Sequence, residues 1–394
     1  MSAIKNNPDK KAAVYIHFPF CIQKCKYCDF FSVRQNRFSE LLKPHHGASP
    51  FSKKILQDLK KQKDQFDIKE FTSVYIGGGT PSLLKPKDVF FLTSSISKLT
   101  NYADIEFTIE ANPDSLTADF IKAANDGGVN RFSMGVQTLN TEILKTQNRI
   151  GSKSITLNAL HLLKNFAEKQ NVKLSFDLIA GFEGQNRSIL ADDINTLLKF
   201  DAEHISLYSL CTNDSRADAE NNFSAELWLH GCELLKRHGY TRYEVSNFAK
   251  TPEDKCRHNL TYWNLDSYLG LGPSAVGTII HKDCNSGKTV GFRTEGIKNI
   301  SDWFKSKKDG YKTENISTQN LIKESLMMGF RLKDGINLAD FSGRFNLSLP
   351  EIIKKTLQKW QKRNLIKLSQ THCFLTDDGL AFLNQFLIDA FTEL

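Results

Sequence analysis

Six short β-rich runs, each followed by an amphipathic stretch, fill the chain from Ala12 to about Gly239. The runs are AAVYIHF (12–18), TSVYIGGG (72–79), DIEFTIE (104–110), VNRFSMGV (129–136), VKLSFDLIAG (172–181) and AEHISLYSL (202–210). Helical periodicity falls at about 50–66, 86–99, 117–126, 140–147, 154–169, 188–200 and 224–238. Ser49 before Pro50 reads as an N-cap and first turn, and Gly127–Gly128 read as a stop. Strands alternating with helices predict an α/β fold on a parallel sheet, either open and doubly wound or a partial (β/α)6 barrel. In both, ligands gather at the carboxyl ends of the strands.

The remainder divides by texture. Residues 1–11 form a polar N-terminal arm, the barrel-like region spans 12–240, and 31–49, with His45, His46 and Gly47, reads as a polar loop. Residues 241–317 form a connecting region with a strand-like TRYEV and the glycine-punctuated YLGLGPSAVGTI (268–279). From 318 to 394, helices at 318–330, 337–345 and 349–364 precede a hairpin at 366–379 and a last helix at 380–393. Helices followed by a hairpin outline a winged-helix-like module, and 394 residues suffice for one large domain and a small one.

Composition narrows the class. Forty per cent hydrophobic and 24% charged residues describe an ordinary globular protein. No run approaches the roughly 18 apolar residues of a membrane helix, and MSAIKNNPDKK lacks the apolar core of a signal peptide. The expectation is a cytoplasmic protein, not an integral membrane one. Eight cysteines in a reducing compartment point to metal binding or burial before disulfides. Of the net charge of +8, +5 lies in 256–394 (19 Lys/Arg against 14 Asp/Glu), a mild bias that selects no partner.

Cys21, Cys25 and Cys28 follow the first strand as C-x₃-C-x₂-C. Three thiolates can hold three irons of a [4Fe–4S] cubane and leave the fourth open to a chelating ligand such as S-adenosylmethionine. Zinc is the alternative, with His17 or a distant cysteine as fourth ligand. The cysteines at 211, 232, 256, 284 and 373 stand singly and read mostly as small core hydrophobes.

Around the cysteines the blocks YIHFPFCIQKCKYCDF, GGGTPS (77–82), IEANPDSL (109–116), RFSMGVQTLN (131–140), NRIG (148–151), FDLIAGF (176–182), RHNLTYW (257–263), LGLGPSA (269–275) and MGFRLKDGI (328–336) occur in order. Together they resemble the radical S-adenosylmethionine superfamily. Within it they resemble the HemN/HemW group, which contains oxygen-independent coproporphyrinogen III oxidase and a haem chaperone. The resemblance implies a partial (β/α)6 barrel of radical S-adenosylmethionine type with the cluster on Cys21, Cys25 and Cys28. It also implies a cofactor pocket of Tyr15, Tyr27, Gly78, Gly79, Thr80, Glu110, Gln137, Arg149, Asp177, Cys211 and Val276. Read by themselves, Gly77–Gly79 allow close backbone approach, Glu110 and Asp177 are strand-end acceptors for ribose hydroxyls or amines, and Arg149 is a fork for a carboxylate. For each residue taken singly, a turn, cap or surface ion pair is the alternative.

Three features favour the chaperone branch. Where the oxidase pattern carries a further cysteine, this chain has Phe30. Only 20 residues precede Cys21. HNLTYW (258–263) matches an H-N-x-x-Y-W signature associated with haem binding in that branch. The resemblance therefore implies haem as ligand, with His258 as an iron ligand, Arg257 near the propionates, and Tyr262 and Trp263 as apolar surface. The partners implied are haem-accepting apoproteins, respiratory and membrane-associated ones among them. The alternatives are a structural histidine–aromatic plug and, for the whole chain, a coproporphyrinogen III oxidase. The lysine-rich LPEIIKKTLQKWQKRNL reads as a solvated face, so nucleic acid is not an expected partner. Nothing in the sequence fixes an oligomeric state.

Overall fold

The structure, a computed structural model, describes residues 10–45, 47–100, 104–210, 217–306 and 310–394. Six strands form the parallel heart of its main sheet: β1 (Lys11–Phe18), β2 (Glu70–Gly78), β3 (Glu106–Ala111), β4 (Arg131–Gln137), β5 (Lys173–Ala180) and β6 (His204–Ser209), in that spatial order. The crossovers carry α1 (Pro50–Gln65), α2 (Pro86–Ser97), α3 (Ala118–Asp126), α4 (Thr141–Thr146), α5 (Lys153–Gln170) and α6 (Arg187–Leu198); α7 (Ala217–Arg237) follows β6. Local chemistry sets these elements. In α1, Ser49 Oγ accepts from Ser52 N, Pro50 opens the first turn, and Phe51, Ile55 and Leu59 recur on one buried face. α3 is capped by Thr117 and stops at Gly127, after which Gly128 turns the chain at φ +107°.

Fully enclosed parallel strands usually read as continuous apolar runs. These alternate instead. Val14, Ile16 and Phe18, Phe107 and Ile109, Phe132 and Met134, and Leu174, Phe176 and Leu178 face the helices and form the main core. Between them Tyr15, His17, Thr108, Glu110, Arg131, Ser133, Ser175 and Asp177 point to the opposite face and line a cleft. Strict period-2 alternation thus builds an apolar outer shell around a polar interior.

The sheet does not stop at six strands. β6 pairs antiparallel with β7 (Asn247–Ala249), beyond which lies a two-residue strand at Thr241–Arg242. On the other edge β1 pairs in parallel with β8 (Tyr268–Leu271), for example Val14 with Leu269. β9 (Val276–Lys282), β10 (Thr289–Gly296) and β11 (Tyr311–Ile316) continue antiparallel, giving twelve strands among the described residues. The short helix α8 (Arg257–Trp263) carries HNLTYW. The run TRYEV is strand only at its first two residues, because Tyr243 and Glu244 turn inward and are buried. The stretch 31–49 also departs from a plain loop, with one 3₁₀ turn at Gln35–Phe38 and one helical turn at Ser39–Leu42, where Phe38, Leu41 and Leu42 pack on the core.

The C-terminal part has its own core. α9 (Thr318–Gly329), β12 (Ile336–Asn337), α10 (Leu338–Phe345), α11 (Lys354–Gln361), β13 (Ile366–Leu368), β14 (His372–Leu375) and α12 (Leu383–Phe391) enclose Trp360, Phe330 and Phe386. The order β12-β14-β13 makes a small wing sheet, as a winged-helix-like module requires. No helix among the described residues is long and apolar enough to cross a membrane.

Candidate functional site

The cleft, of about 490 Å³, opens at the carboxyl ends of β1–β6 and is closed along one side by α8 and β9. The cysteine loop follows β1 directly. Thr80 Oγ1 donates to Cys21 Sγ at 3.6 Å, and Arg149 Nη1 lies 3.9 Å from Cys25 Sγ. Burial pushes the Cys21 and Cys28 thiols up, against hydrogen bonds from Thr80 and Ser32 to the first and from the Phe30 backbone to the second. Among the described residues no three or more His, Cys, Asp or Glu side chains gather tightly enough to hold a metal ion. A cubane asks for a different geometry: each thiolate binds its own iron, so the sulfurs stand apart across one face of the cluster. The donor set fits a three-thiolate cluster better than a closed four-ligand zinc site, and His17 is engaged elsewhere: its ring bonds Tyr15 Oη (2.9 Å) and Phe31 O (2.8 Å).

The glycines earn their place by contact. A Cβ on Gly78 (φ +106°) would lie 2.3 Å from His17 Nδ1, and one on Gly79 would lie 2.6 Å from the Phe18 and Phe20 carbonyls. Gly78 N–H donates to Glu110 Oε2 (3.0 Å) and Tyr75 Oη to Glu110 Oε1 (2.8 Å). Burial raises Glu110 to about 7, helped by the nearby Asp177 carboxylate and opposed by the Tyr75 donor. Burial likewise lifts Asp177 to about 6 despite bonds from Ser206 and Ser133. Asp177 does not end its strand; three residues of β5 follow it, so its carboxyl sits deeper than a strand-end reading implies.

Arg149 ties the cysteine loop to the sheet. Nη1 donates to Tyr27 Oη (2.9 Å), and Nη2 donates to Asn112 Oδ1 (3.3 Å) and to Gly135 O. Its fork is therefore shared among protein acceptors. Beside it Gln137 lies at a register shift in β4 with φ +69°, a left-handed backbone that is costly for a residue with a side chain. Its Oε1 is buried without a partner. An orphaned acceptor held by a strained backbone is a fit for the donor groups of a polar cofactor such as S-adenosylmethionine. Tyr15 and Val276 line the same cleft, and Thr80 borders it next to Cys21. Cys211 lies outside the described residues.

Several residues of the site stand outside the expected set: Tyr75, Arg131, Ser133 and Ser206 line the cleft, and Asn112 accepts from Arg149. The alternation of polar and apolar residues in the strands was the available signal, together with Asn112 inside IEANPDSL. Arg131 is 1% exposed; Nη2 donates to Asp254 O (3.0 Å), and Nη1 lies 3.6 Å from Glu106. Glu106 also accepts from the backbone N–H groups of Arg257 (3.1 Å) and His258 (2.9 Å), capping the start of α8.

His258 sits at the cleft wall, 1% exposed, stacked on Tyr75 at 5.1 Å. Its Nδ1 bonds Ser73 Oγ (2.8 Å) and its Nε2 bonds Tyr262 Oη (2.7 Å). Both ring nitrogens are used, one donating and one accepting, and burial lowers the ring to about 3, so it is neutral. In this geometry iron ligation would require Tyr262 or Ser73 to let go. Arg257 lies on the other side of α8, ion-paired with Asp104 at 3.0 Å.

Comparison with known proteins agrees with this arrangement. The chain matches the radical SAM superfamily over residues 15–197 and the HemN C-terminal domain over 316–382. A heme chaperone HemW of Buchnera aphidicola subsp. Schizaphis graminum is 33% identical over 387 residues, 95% of this chain and 97% of the relative. The heme chaperone HemW of Bacillus subtilis is 30% identical over 389 residues, again 95% and 97%. In fold the chain is similar to coproporphyrinogen III oxidase (HemN) from Escherichia coli, TM-score 0.77 at 17% identity, over 100% of this chain and 92% of that one.

Proposed function

This chain belongs to the HemW family of the radical S-adenosylmethionine superfamily, and from that footing we propose that it binds haem and passes it to acceptor apoproteins. The observation that carries this reading is likeness along nearly the whole chain to proteins named heme chaperones. Phe30 adds support. It stands where the oxidase pattern has an extra cysteine, and at 62% exposed it offers an apolar rim at the cleft mouth and no ligand.

In this reading Cys21, Cys25 and Cys28 hold a [4Fe–4S] cluster. Tyr15, Tyr27, Gly78, Gly79, Thr80, Glu110, Gln137, Arg149, Asp177 and Val276 surround S-adenosylmethionine, and Cys211 is assigned by resemblance alone. When bound, the pair supplies one-electron chemistry. The residues supply position. Arg149 anchors the cysteine loop, Gly78 N–H and Tyr75 orient Glu110, and Gln137 presents a free acceptor. The haem acceptors are proteins. In this reading the chain carries haem rather than making it.

The second reading, oxidative decarboxylation of coproporphyrinogen III, is favoured by the fold likeness to that oxidase, which at 17% identity speaks for fold alone. One paired experiment separates them. Reconstituted protein is titrated with hemin and, in parallel, given coproporphyrinogen III, reductant and S-adenosylmethionine without oxygen. The expected result is a saturable Soret band and no protoporphyrinogen IX. Turnover without haem uptake reverses the assignment.

A further inference from the structure

The H-N-x-x-Y-W helix has two faces, and they look into two different spaces. His258 and Tyr262, four residues apart, face the cleft of the parallel strands. Leu260, Trp263 and Asn264 face a second cavity of about 770 Å³, walled by the end of β9, by α9 and α10, and by the wing strand β14. The walls of that cavity come from both parts of the molecule.

Two of its polar side chains have a buried atom without a partner. His281 lines it near the end of β9, and its Nδ1 is buried with no hydrogen-bond partner. The residue is 9% exposed, and its ring lies parallel to Phe292 at 4.9 Å, which fixes its plane. Trp263 Nε1, an N–H from the signature motif, is likewise buried without an acceptor. Two orphaned polar atoms in one cavity call for a ligand, because buried polar groups are ordinarily paired. The surroundings indicate its class. Leu265, Ile280 and Phe341 give the cavity apolar surface. Lys282 Nζ bonds two neutral oxygens, Thr289 Oγ1 (2.8 Å) and Arg344 O (2.7 Å), and is ion-paired to no carboxylate among the described residues. Burial lowers His281, so its imidazole is neutral at pH 7 and retains a lone pair. A flat apolar ring system with a metal centre and peripheral carboxylates offers a metal to the imidazole lone pair, an anion to Lys282 and apolar surface to the indole.

We propose that haem is seated in this second cavity, with His281 as an axial ligand, Trp263 against the porphyrin and Lys282 near a propionate. The inference rests on the haem-binding reading above and deepens it. It gives the signature motif a task at both ends. His258 and Tyr262 belong to the cofactor cleft, while Trp263 touches the cargo, so one helix of seven residues joins the two sites. A cavity walled by β9 on one side and by the C-terminal module on the other also offers a release route, since parting the two walls would open it.

Full-length protein with its cluster reconstituted is titrated with hemin, comparing wild type, His281→Ala and His281→Phe. The Phe variant keeps a ring against Phe292 and lacks the nitrogen. Both variants are expected to lose hemin affinity by roughly 10- to 100-fold and to shift the Soret band, with cluster content unchanged. Free imidazole should restore the band in His281→Ala but not in His281→Phe. Wild-type affinity and spectrum in a folded His281→Phe protein would overturn the placement while leaving haem binding intact. Wild-type protein that takes up no hemin would instead sink the parent reading, so the two failures are distinct.

Discussion

In the cleft of the parallel strands the aromatic and carboxylate side chains bond one another, and only Thr108 Oγ1 and Arg131 Nη1 among its lining are buried without a hydrogen-bond partner, whereas in the cavity beneath the C-terminal module the unpaired atoms are a histidine nitrogen and an indole N–H. His258 and His281 make the contrast concrete. The first uses both ring nitrogens, on Ser73 and Tyr262; the second leaves Nδ1 unpaired. A satisfied network fixes geometry, which suits a site that must present a cofactor in one pose. Unsatisfied groups cost stability until something binds, which suits a site that loads and unloads cargo. Beside the cleft, Gln137 also has a free Oε1, which marks where the cofactor itself is expected to complete the network.

The largest expected effect lies at the edge of the cleft. Serine at Cys21, Cys25 or Cys28 removes a soft thiolate and should abolish the iron–sulfide absorbance of anaerobically reconstituted protein. Serine at Cys284, exposed, or Cys232, on α7, should leave it intact. Iron and sulfide analysis decides: close to four of each per chain is expected of wild type, and stoichiometric zinc without sulfide would refute the assignment.

The next effect tests the claim that the charges of the cleft wall are held by one another. Glu106→Ala would strand Arg131 as a buried charge and uncap α8, costing about 3–5 kcal/mol and lowering Tm clearly. His281→Phe in the second cavity should be neutral or stabilising for the haem-free protein, because it removes an unpaired polar atom. Equal losses at both positions would erase the distinction between the two sites.

Arg149→Ala should follow. Its fork is shared among Tyr27, Asn112 and Gly135, so its removal loosens the loop that carries Cys25 as well as any contact to the cofactor. S-adenosylmethionine affinity is expected to fall by roughly 10- to 100-fold, measured by equilibrium dialysis at unchanged iron content. Gln137→Ala should weaken affinity by a smaller factor with no loss of Tm. Unchanged affinity in both would move the cofactor away from these residues.

How much of this was legible depended on distance along the chain. The six strand–helix units were readable because each is local and closes with its own caps, as at Ser49 and Thr117. The cysteines proposed for the cluster stand out in the sequence because their spacing is itself the signal. The extension β8–β11 was not: β8 joins β1 across more than 250 residues, as in the pairing of Val14 with Leu269, and its glycines suggest a loop. Gly270 is needed there because a Cβ would strike the Val276 carbonyl at 2.1 Å. HNLTYW was visible as a motif, but nothing in six residues could say that Ser73, 185 positions away, would occupy the histidine. His281 carries no motif at all. Only the assembled β9, α8 and C-terminal module make it conspicuous.

The smallest effect, and the one that reads the cleft interior most directly, is the pH dependence contributed by Glu110. Its carboxyl is raised from an ordinary 4.5 to about 7, first by burial and then by Asp177. A carboxyl with a raised folded pKa holds its proton more tightly folded than unfolded. Its stabilising contribution is therefore fully present below 4.5, declines as pH rises from 4.5 to 7, and is lost above that. One unit corresponds to about 1.4 kcal/mol, and since Glu110 borders an open cleft the slope should amount to about 1–2 kcal/mol across the window. Glu110→Gln keeps one oxygen to accept from Gly78 N–H, turns an amide N–H toward Tyr75 Oη, and cannot ionise, so its Tm should fall less than wild type between pH 5 and 8. Asp177, lifted to about 6, contributes a second decline in the lower part of the same range. Bound S-adenosylmethionine carries a cationic sulfonium and an ammonium, which favour the ionised form of Glu110. Cofactor should therefore flatten the wild-type slope and leave that of Glu110→Gln nearly unchanged. Parallel Tm curves for the two proteins, with and without cofactor, would show that Glu110 is ionised throughout and that burial does not govern this carboxyl.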